Sequence, residues 1–463
     1  MNAKLVRLFI ATSVLSASQS GIAQEDLLNV YQRALQNDPI IREAENIYLA
    51  TLESKPQALS NLLPQLSLSA GASTSFSEDP NPATNFQTGE PSTIVVSSET
   101  DRDSSSLSLN LDQTIFDRGQ LVTYRQADKR VARAVTDYEL AKQDLLIRVA
   151  DAYFNVLAAE DTLAAEVAAR EAIGRQLEQA ERRFEVGLIA ITDVQESQAG
   201  YDLAIATEIS AQRSLATSRE FLREIVGEYI SELAGPAEQI PLETPEPADA
   251  EEWVRVSLDQ NLALMSSRIA AEIARDDIDI QRGSRLPSIS LRGSYSESDS
   301  DTVRTNFFAN GGRLDNPSTS GPQGYNFSIS FSIPIFTGGF NSSRIQQAVY
   351  QHRAALETLE RVARQTERQT RDAYLGVISE ISRVRALRQA VQSSETALQA
   401  TEAGFTVGTR TTVDVLVSQN TLARAQTNFA RSRYDYILNV LRLKLAAGNL
   451  SIEDINEVNG WLD

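Results

Sequence analysis

Arg410, Thr192, Asp193 and Asp414 are polar residues of a motif that the chain carries twice, and their types set the chemistry on offer. Residues 182–194 read RRFEVGLIAITDV and residues 403–415 read AGFTVGTRTTVDV. An arginine presents five N–H donors in a fixed fork, and threonine and aspartate oxygens accept such bonds. Aspartate and threonine also cap helices, and glycine ends them. This is a chemistry of contact and closure, and little else is available for bond making. There is no Cys, which removes disulfides, thiolate metal sites and a thiol nucleophile. The single His352 lies alone in a long helical pattern, without the H-x-x-x-H spacing of a transition-metal site. No nucleophile–base–orienter set is visible, and Tyr153 and Tyr374 read as packing residues. Phe336-Thr337-Gly338-Gly339 lacks the lysine and spacing of a phosphate loop, and its twin Phe116-Asp117-Arg118-Gly119 marks a strand-to-helix bend. The expectation is no catalysis, no cofactor and no metal.

The elements that must position the motif are themselves duplicated. Phe184 and Phe405 stand 221 residues apart, as do Gly187 and Gly408, and Asp193 and Asp414. Leu63-Pro64 matches Leu286-Pro287, and Ile115-Phe116 matches Ile335-Phe336, at nearly the same offset. So steady an offset means a tandem repeat of about 220 residues, each copy building one supersecondary unit. The expected bounds are 24–235 for the first repeat and 251–463 for the second. The acidic, proline-rich stretch 236–250 reads as the linker between them.

Four segments alternate with period two, apolar against small polar: about 64–76, 105–116, 287–297 and 325–336. Aromatics sit near their ends (Phe76, Phe116, Tyr295, Phe336), and long polar loops, 77–105 and 298–324, join the members of each pair. That is the pattern of outer-membrane strands facing lipid on one side and water on the other. Four strands cannot close a barrel, and an open sheet in lipid leaves backbone groups unpaired at several kcal/mol each. The chain must share a barrel with copies of itself; three copies give twelve strands, whereas two give a tighter eight.

Between the strands the pattern is helical. From Gln120 to about Arg182 there is no Pro and one Gly, and Val131, Val135, Tyr138, Leu145, Val149, Ala152, Val156, Ala159 and Leu163 form a coiled-coil seam. Sixty residues of helix extend about 90 Å. A matching segment runs from Asn341 to about Glu402, shorter helices cover 191–227 and 412–447, and others open each half near 25–60 and 251–283. The repeated motif falls where each long helix turns into the next.

Composition narrows the setting. The formal charge of −19 without a basic stripe argues against nucleic acid. Lys4 and Arg7, the apolar stretch through Leu15 and the small residues Gly21 and Ala23 read as a signal peptide over 1–23, so the mature charge becomes −21 once those two cations are removed. No later stretch approaches the roughly 18 apolar residues of a membrane helix.

RFEVGLIAITDVQ and EAGFTVGTRTTVDVL, with AYFNVLAAED, LDQTIFDRG, FSIPIFTGG and YDYILNVLRLKLAAG, resemble the TolC family of outer-membrane channels over nearly the whole mature chain. The resemblance implies a homotrimer: a twelve-stranded barrel in outer-membrane lipid above an α-helical barrel that spans the periplasm and closes at its tip. It implies a passive exit duct for multidrug efflux or type I protein secretion, recruited by a periplasmic adaptor (a membrane fusion protein) and an inner-membrane pump. Carried over by residue, Arg410 is the arginine that bonds across to Thr192 and Asp193 in the closed gate, and Asp414 lines a cation-selective ring. Val186, Gly187, Leu188, Val407, Gly408 and Thr409 form the tips that meet the adaptor. Two positions depart from the family pattern. Phe405 stands where a Tyr is usual, so its hydroxyl bond is missing, and Val417 replaces a second aspartate ring. The alternative is a periplasmic coiled-coil scaffold or adaptor with a soluble β-domain, against which the lipid-length strands argue.

Overall fold

The computed structural model describes residues 24–80, 95–237 and 240–462. The expected signal peptide lies outside them, as does part of the first long loop. The chain forms two compact units that cut across the duplication, since each takes segments from both repeats. Among the described residues, one comprises 24–43, 140–237, 240–261 and 366–462; the other comprises 44–80, 95–139 and 262–365.

The second of these units holds the sheet. Its strands are β1 (Gln65–Asp79), β2 (Val95–Phe116), β3 (Ser288–Phe308), β4 (Arg313–Ser320) and β5 (Gln323–Ser332). All neighbours are antiparallel, in the order β1–β2–β3, with β4 and β5 both pairing with β3. β4 takes the part of β3 from Ser300 to Phe307 and β5 the part from Ser288 to Glu297, so the two form a single path interrupted at Gly321-Pro322. Four strand paths therefore exist, as the alternation predicts. They are longer than predicted, and much of both expected loops is in fact strand, because the ladder is made by backbone N–H and C=O groups that continue to pair with a neighbouring strand in register.

The register places the apolar residues together. Leu68 faces Leu109, Leu109 faces Tyr295, Tyr295 faces Tyr325, and Leu291 faces Ile329. Directly opposed residues share a face, so one side of the sheet is an apolar band. The other side carries serine pairs, Ser69 with Ser108 at 2.7 Å and Ser73 with Ser104 at 2.8 Å, and the Arg292–Asp112 ion pair at 3.1 Å. The band is open rather than packed: Leu66, Leu68, Phe327, Ile329 and Phe331 are all exposed within the chain. Among the described residues β1 and β5 each pair on one side only, leaving both edges of the sheet unfilled.

The helices repeat closely. α1 (Leu27–Asn37) and α6 (Ala250–Gln260) have 11 residues each, α4 (Arg118–Glu185) and α8 (Phe340–Thr406) have 68 and 67, and α5 (Ile191–Val226) and α9 (Thr412–Ala447) have 36 each. The opening helix expected near 25–60 is broken into α1, α2 (Pro39–Leu52) and α3 (Ser54–Ser60), and that near 251–283 into α6 and α7 (Leu262–Gly283). The first breaks fall at Asp38 and Asn261, whose backbones turn to extended values. In the unit with the sheet, buried Gln126 of α4 donates to the Ile273 carbonyl and to Asp277 of α7 and accepts from Arg130, so its buried amide is satisfied.

In the other unit the core is built by Leu145, Val149, Tyr153, Phe154 and Val156 of α4 with Tyr436, Ile437 and Leu441 of α9. The expected seam holds through Leu145, Val149, Ala152, Val156 and Ala159 but slips earlier. There Ala134 and Thr136 are buried and Val135 is exposed, because a 3.6-residue helix drifts against a 3.5-residue pattern. Tyr153 packs, as expected, and its hydroxyl donates to the Ala234 carbonyl at 2.6 Å. Burial pushes that phenol up, out of the titrating range. The stretch 236–250 is held against α9: Arg433 donates to the Pro236 and Ala237 carbonyls, and Tyr436 accepts from the Glu243 N–H at 3.0 Å. α10 (Ile452–Asn459) follows, with Lys444 of α9 bonded to Asp454 at 2.6 Å.

Candidate functional site

The repeated motif forms two helical hairpin turns. α4 ends at Glu185, and Gly187 takes φ 76°, with its N–H donating to the Phe184 carbonyl and that of Leu188 to Arg183. α8 ends at Thr406, and Gly408 takes φ 79°, with Thr409 N–H donating to the Gly404 carbonyl at 2.9 Å. A side chain in this left-handed region is strained, which is why glycine closes both helices. No atom lies within 4 Å of where a Cβ would stand on either glycine, so the backbone angle alone accounts for them inside the chain. Val186, Leu188 and Val407 are 70%, 73% and 74% exposed, an apolar tip on each hairpin. Thr409 is exposed beside them.

Beyond each turn a carboxylate starts the next helix. Thr411 is the N-cap of α9, its hydroxyl accepting from Asp414 N–H at 3.2 Å, and Asp414 accepts from Thr411 N–H at 2.9 Å. This reciprocal capping box satisfies two N–H groups that a helix start leaves unpaired. A Thr or Asp is the expected cap; the cap is Thr411, and Asp414 sits three residues inside. Thr411 N–H, the Thr411 hydroxyl and the Arg410 charge hold the Asp414 carboxyl below the usual carboxylate range. Asp193 does half of this, accepting from Ala190 N–H at 3.2 Å, since Ala190 has no side-chain oxygen. Thr192 is exposed next to it.

Arg410 is exposed, and among the described residues of its own chain its guanidinium bonds neither Thr192 nor Asp193 nor any carboxylate. Its stem lies against Gly404, where a Cβ would come within 2.7 Å of Arg410 Cγ. Phe405 is buried, and the guanidinium of Arg183 lies 4.8 Å from its ring centroid. That contact joins the two hairpins and is absent from the sequence reading, in which the Arg182-Arg183 pair carries no spacing signal. Val417 is exposed one turn beyond Asp414.

Among the described residues no cluster of His, Asp or Glu able to hold a metal ion is present, and no helix is long and apolar enough to cross a membrane. At the strand-to-helix bend, Gly338 and Gly339 take φ 60° and 86°.

The family model described as "Outer membrane efflux protein" matches residues 30–228 and 253–449, one match per repeat. The chain is 36% identical over 461 residues to the outer membrane protein TolC of Vibrio cholerae, covering 99% of this chain and 98% of that one. It is 28% identical over 434 residues to the alkaline protease secretion protein AprF of Pseudomonas aeruginosa, covering 93% and 86%. Among solved structures, the Campylobacter jejuni CmeC outer membrane channel superposes with a TM-score of 0.73 at 18% identity, covering 96% of this chain and 91% of that one.

Proposed function

The chain belongs to the outer membrane efflux protein family, and on that premise we propose that three copies close one barrel and act as a passive exit duct gated at the hairpin tips. It is an outer-membrane protein of the kind that serves efflux and type I secretion. One observation carries the trimer. The sheet exposes an apolar band and, among the described residues, has an unfilled edge on β1 and another on β5. In lipid each unpaired edge group costs several kcal/mol, and pairing β5 of one copy with β1 of the next removes both edges. Three copies of four strand paths give twelve strands, enough for an aqueous lumen.

At the tips, the Arg410 guanidinium makes no hydrogen bond or ion pair among the described residues of its own chain, while Thr192 and Asp193 of another copy offer acceptors. That arrangement supports a latch made between chains, released when the hairpins part. The apolar tips Val186-Gly187-Leu188 and Val407-Gly408-Thr409 are the surface on which a periplasmic adaptor with its own helical hairpins would dock, bringing an inner-membrane pump. Threefold repetition sets three Asp414 carboxylates around the narrow end, a ring that draws cations. Mass measurement in mild detergent tests the architecture: three chains are expected, and a stable monomer with a closed barrel would sink it.

A further inference from the structure

The two hairpin tips, alike in backbone, differ in side-chain chemistry. Phe184 and Phe405 are equivalents in the duplication, yet Phe184 is 42% exposed and Phe405 only 8%. Phe405 is covered partly by the other hairpin: the guanidinium of Arg183 lies over its ring, 4.8 Å from the centroid. The residue equivalent to Arg183 in the second repeat is Gly404, so Phe184 receives no such cover. Arg182, next in the chain, pairs with Glu178 on its own helix. Arg183 takes no carboxylate among the described residues and turns toward the second hairpin. The Arg410 stem occupies the space that Gly404 leaves open.

From this we infer that Arg183 is a positioning residue of the gate, clamping Phe405 of the second hairpin to the first hairpin within one chain. The inference rests on the tips being the gate, as proposed above. The physical basis is the negative face of the ring. A cation over a partly desolvated aromatic face is held more firmly than one in water. A planar guanidinium also stacks where an ammonium cannot. Phe405 has no hydroxyl, so its face is the only part of it that can bind a cation. The duplicated tips have thus divided the work: Arg183 holds the hairpins together inside a chain, and Arg410 is free to reach between chains.

The test is bilayer conductance of the purified protein, with uptake of a large antibiotic as the cellular readout. Arg183→Gln, which keeps the stem and removes the charge, should raise the conducting population about two- to thirtyfold, the range that one cation–π contact spans. Phe405→Leu, which keeps apolar bulk and removes the ring face, should do the same, and Arg183→Lys should fall between. The double variant should be no more open than either single one. Full additivity would overturn the clamp, because Arg183 would then act through something other than Phe405. Arg183→Gln at wild-type conductance, with Arg410→Ser raised, would also overturn it while leaving the gate in place. If both were silent, the gate reading itself would fail. Should Arg183→Gln not assemble, Arg183→Lys with Phe405→Leu gives the same cycle.

Discussion

Asp414 bonds both the N–H and the hydroxyl of Thr411, and a pH dependence follows from those bonds. The folded carboxyl titrates below its unfolded value. Its stabilising effect is therefore fully present above the unfolded carboxylate pKa of about 3.9 and is lost as pH falls through the lower folded value. Protection from amide exchange in the first turn of α9, taken relative to the intrinsic rate at each pH, should fall below about pH 4, and Asp414→Asn should abolish that step. A ring of three close carboxylates would act in the opposite direction, raising at least one of them. Thr411→Ala separates the roles. It should cost about 1 kcal/mol of stability per chain, the usual worth of a cap, and leave cation selectivity unchanged. Asp414→Ala should lower selectivity and relieve block by a trivalent cation. Selectivity that survives Asp414→Ala would leave only the capping role. Arg410→Ser addresses the latch: with no hydrogen bond or ion pair to its guanidinium among the described residues of its chain, its loss should raise conductance without lowering the stability of the single hairpin. Unchanged conductance would place the latch elsewhere.

At the level of the hairpins, two reasons compete for Gly187 and Gly408. Positive φ explains both within the chain, whereas docking would also require that nothing protrude from the tip. Asparagine tolerates the left-handed region and tryptophan does not. If φ is the whole reason, Gly408→Asn should retain efflux. If a partner helix meets the turn closely, Gly408→Asn should weaken efflux, and Gly187→Trp and Gly408→Trp should abolish it, with trimer assembly intact in every case. Normal drug resistance in all three variants would exclude docking at this surface. Other elements are tied by contacts that periodicity does not reveal. The 236–250 stretch has a linker's composition, yet Arg433 and Tyr436 fasten it to α9.

For the whole molecule the decisive surface is the apolar face of the sheet. Ile329 on β5 is 72% exposed within the chain. On a water-facing sheet, Ile329→Arg would change stability by no more than about 0.5 kcal/mol, as surface substitutions usually do. Facing hydrocarbon near the middle of a bilayer, it should cost about 2–4 kcal/mol per chain. The expected result is loss of detergent-resistant trimer and of outer-membrane fractionation, whereas the same change on the serine face, Ser330→Arg, should assemble. Equal assembly of the two variants would contradict a lipid-facing band.

The sequence by itself determined the duplication, the four alternating strand paths, the two pairs of long and shorter helices and the turns that join them. These are properties of neighbouring residues. A period of two or of about 3.6 is imposed by local backbone geometry, and a left-handed glycine or a capping aspartate acts over three or four positions. The tertiary structure decided what depends on a partner distant in the chain. β2 and β3 continue into polar sequence because each lies against the other, and the last strand path breaks at Gly321-Pro322 while staying on β3. The seam slips at Val135, where the 3.6-residue helix has drifted from the 3.5-residue pattern and buries Ala134 and Thr136 instead. Arg183 reaches Phe405 across more than two hundred residues, and no spacing rule encodes that contact, because a cation and a ring face meet only once both hairpins are packed.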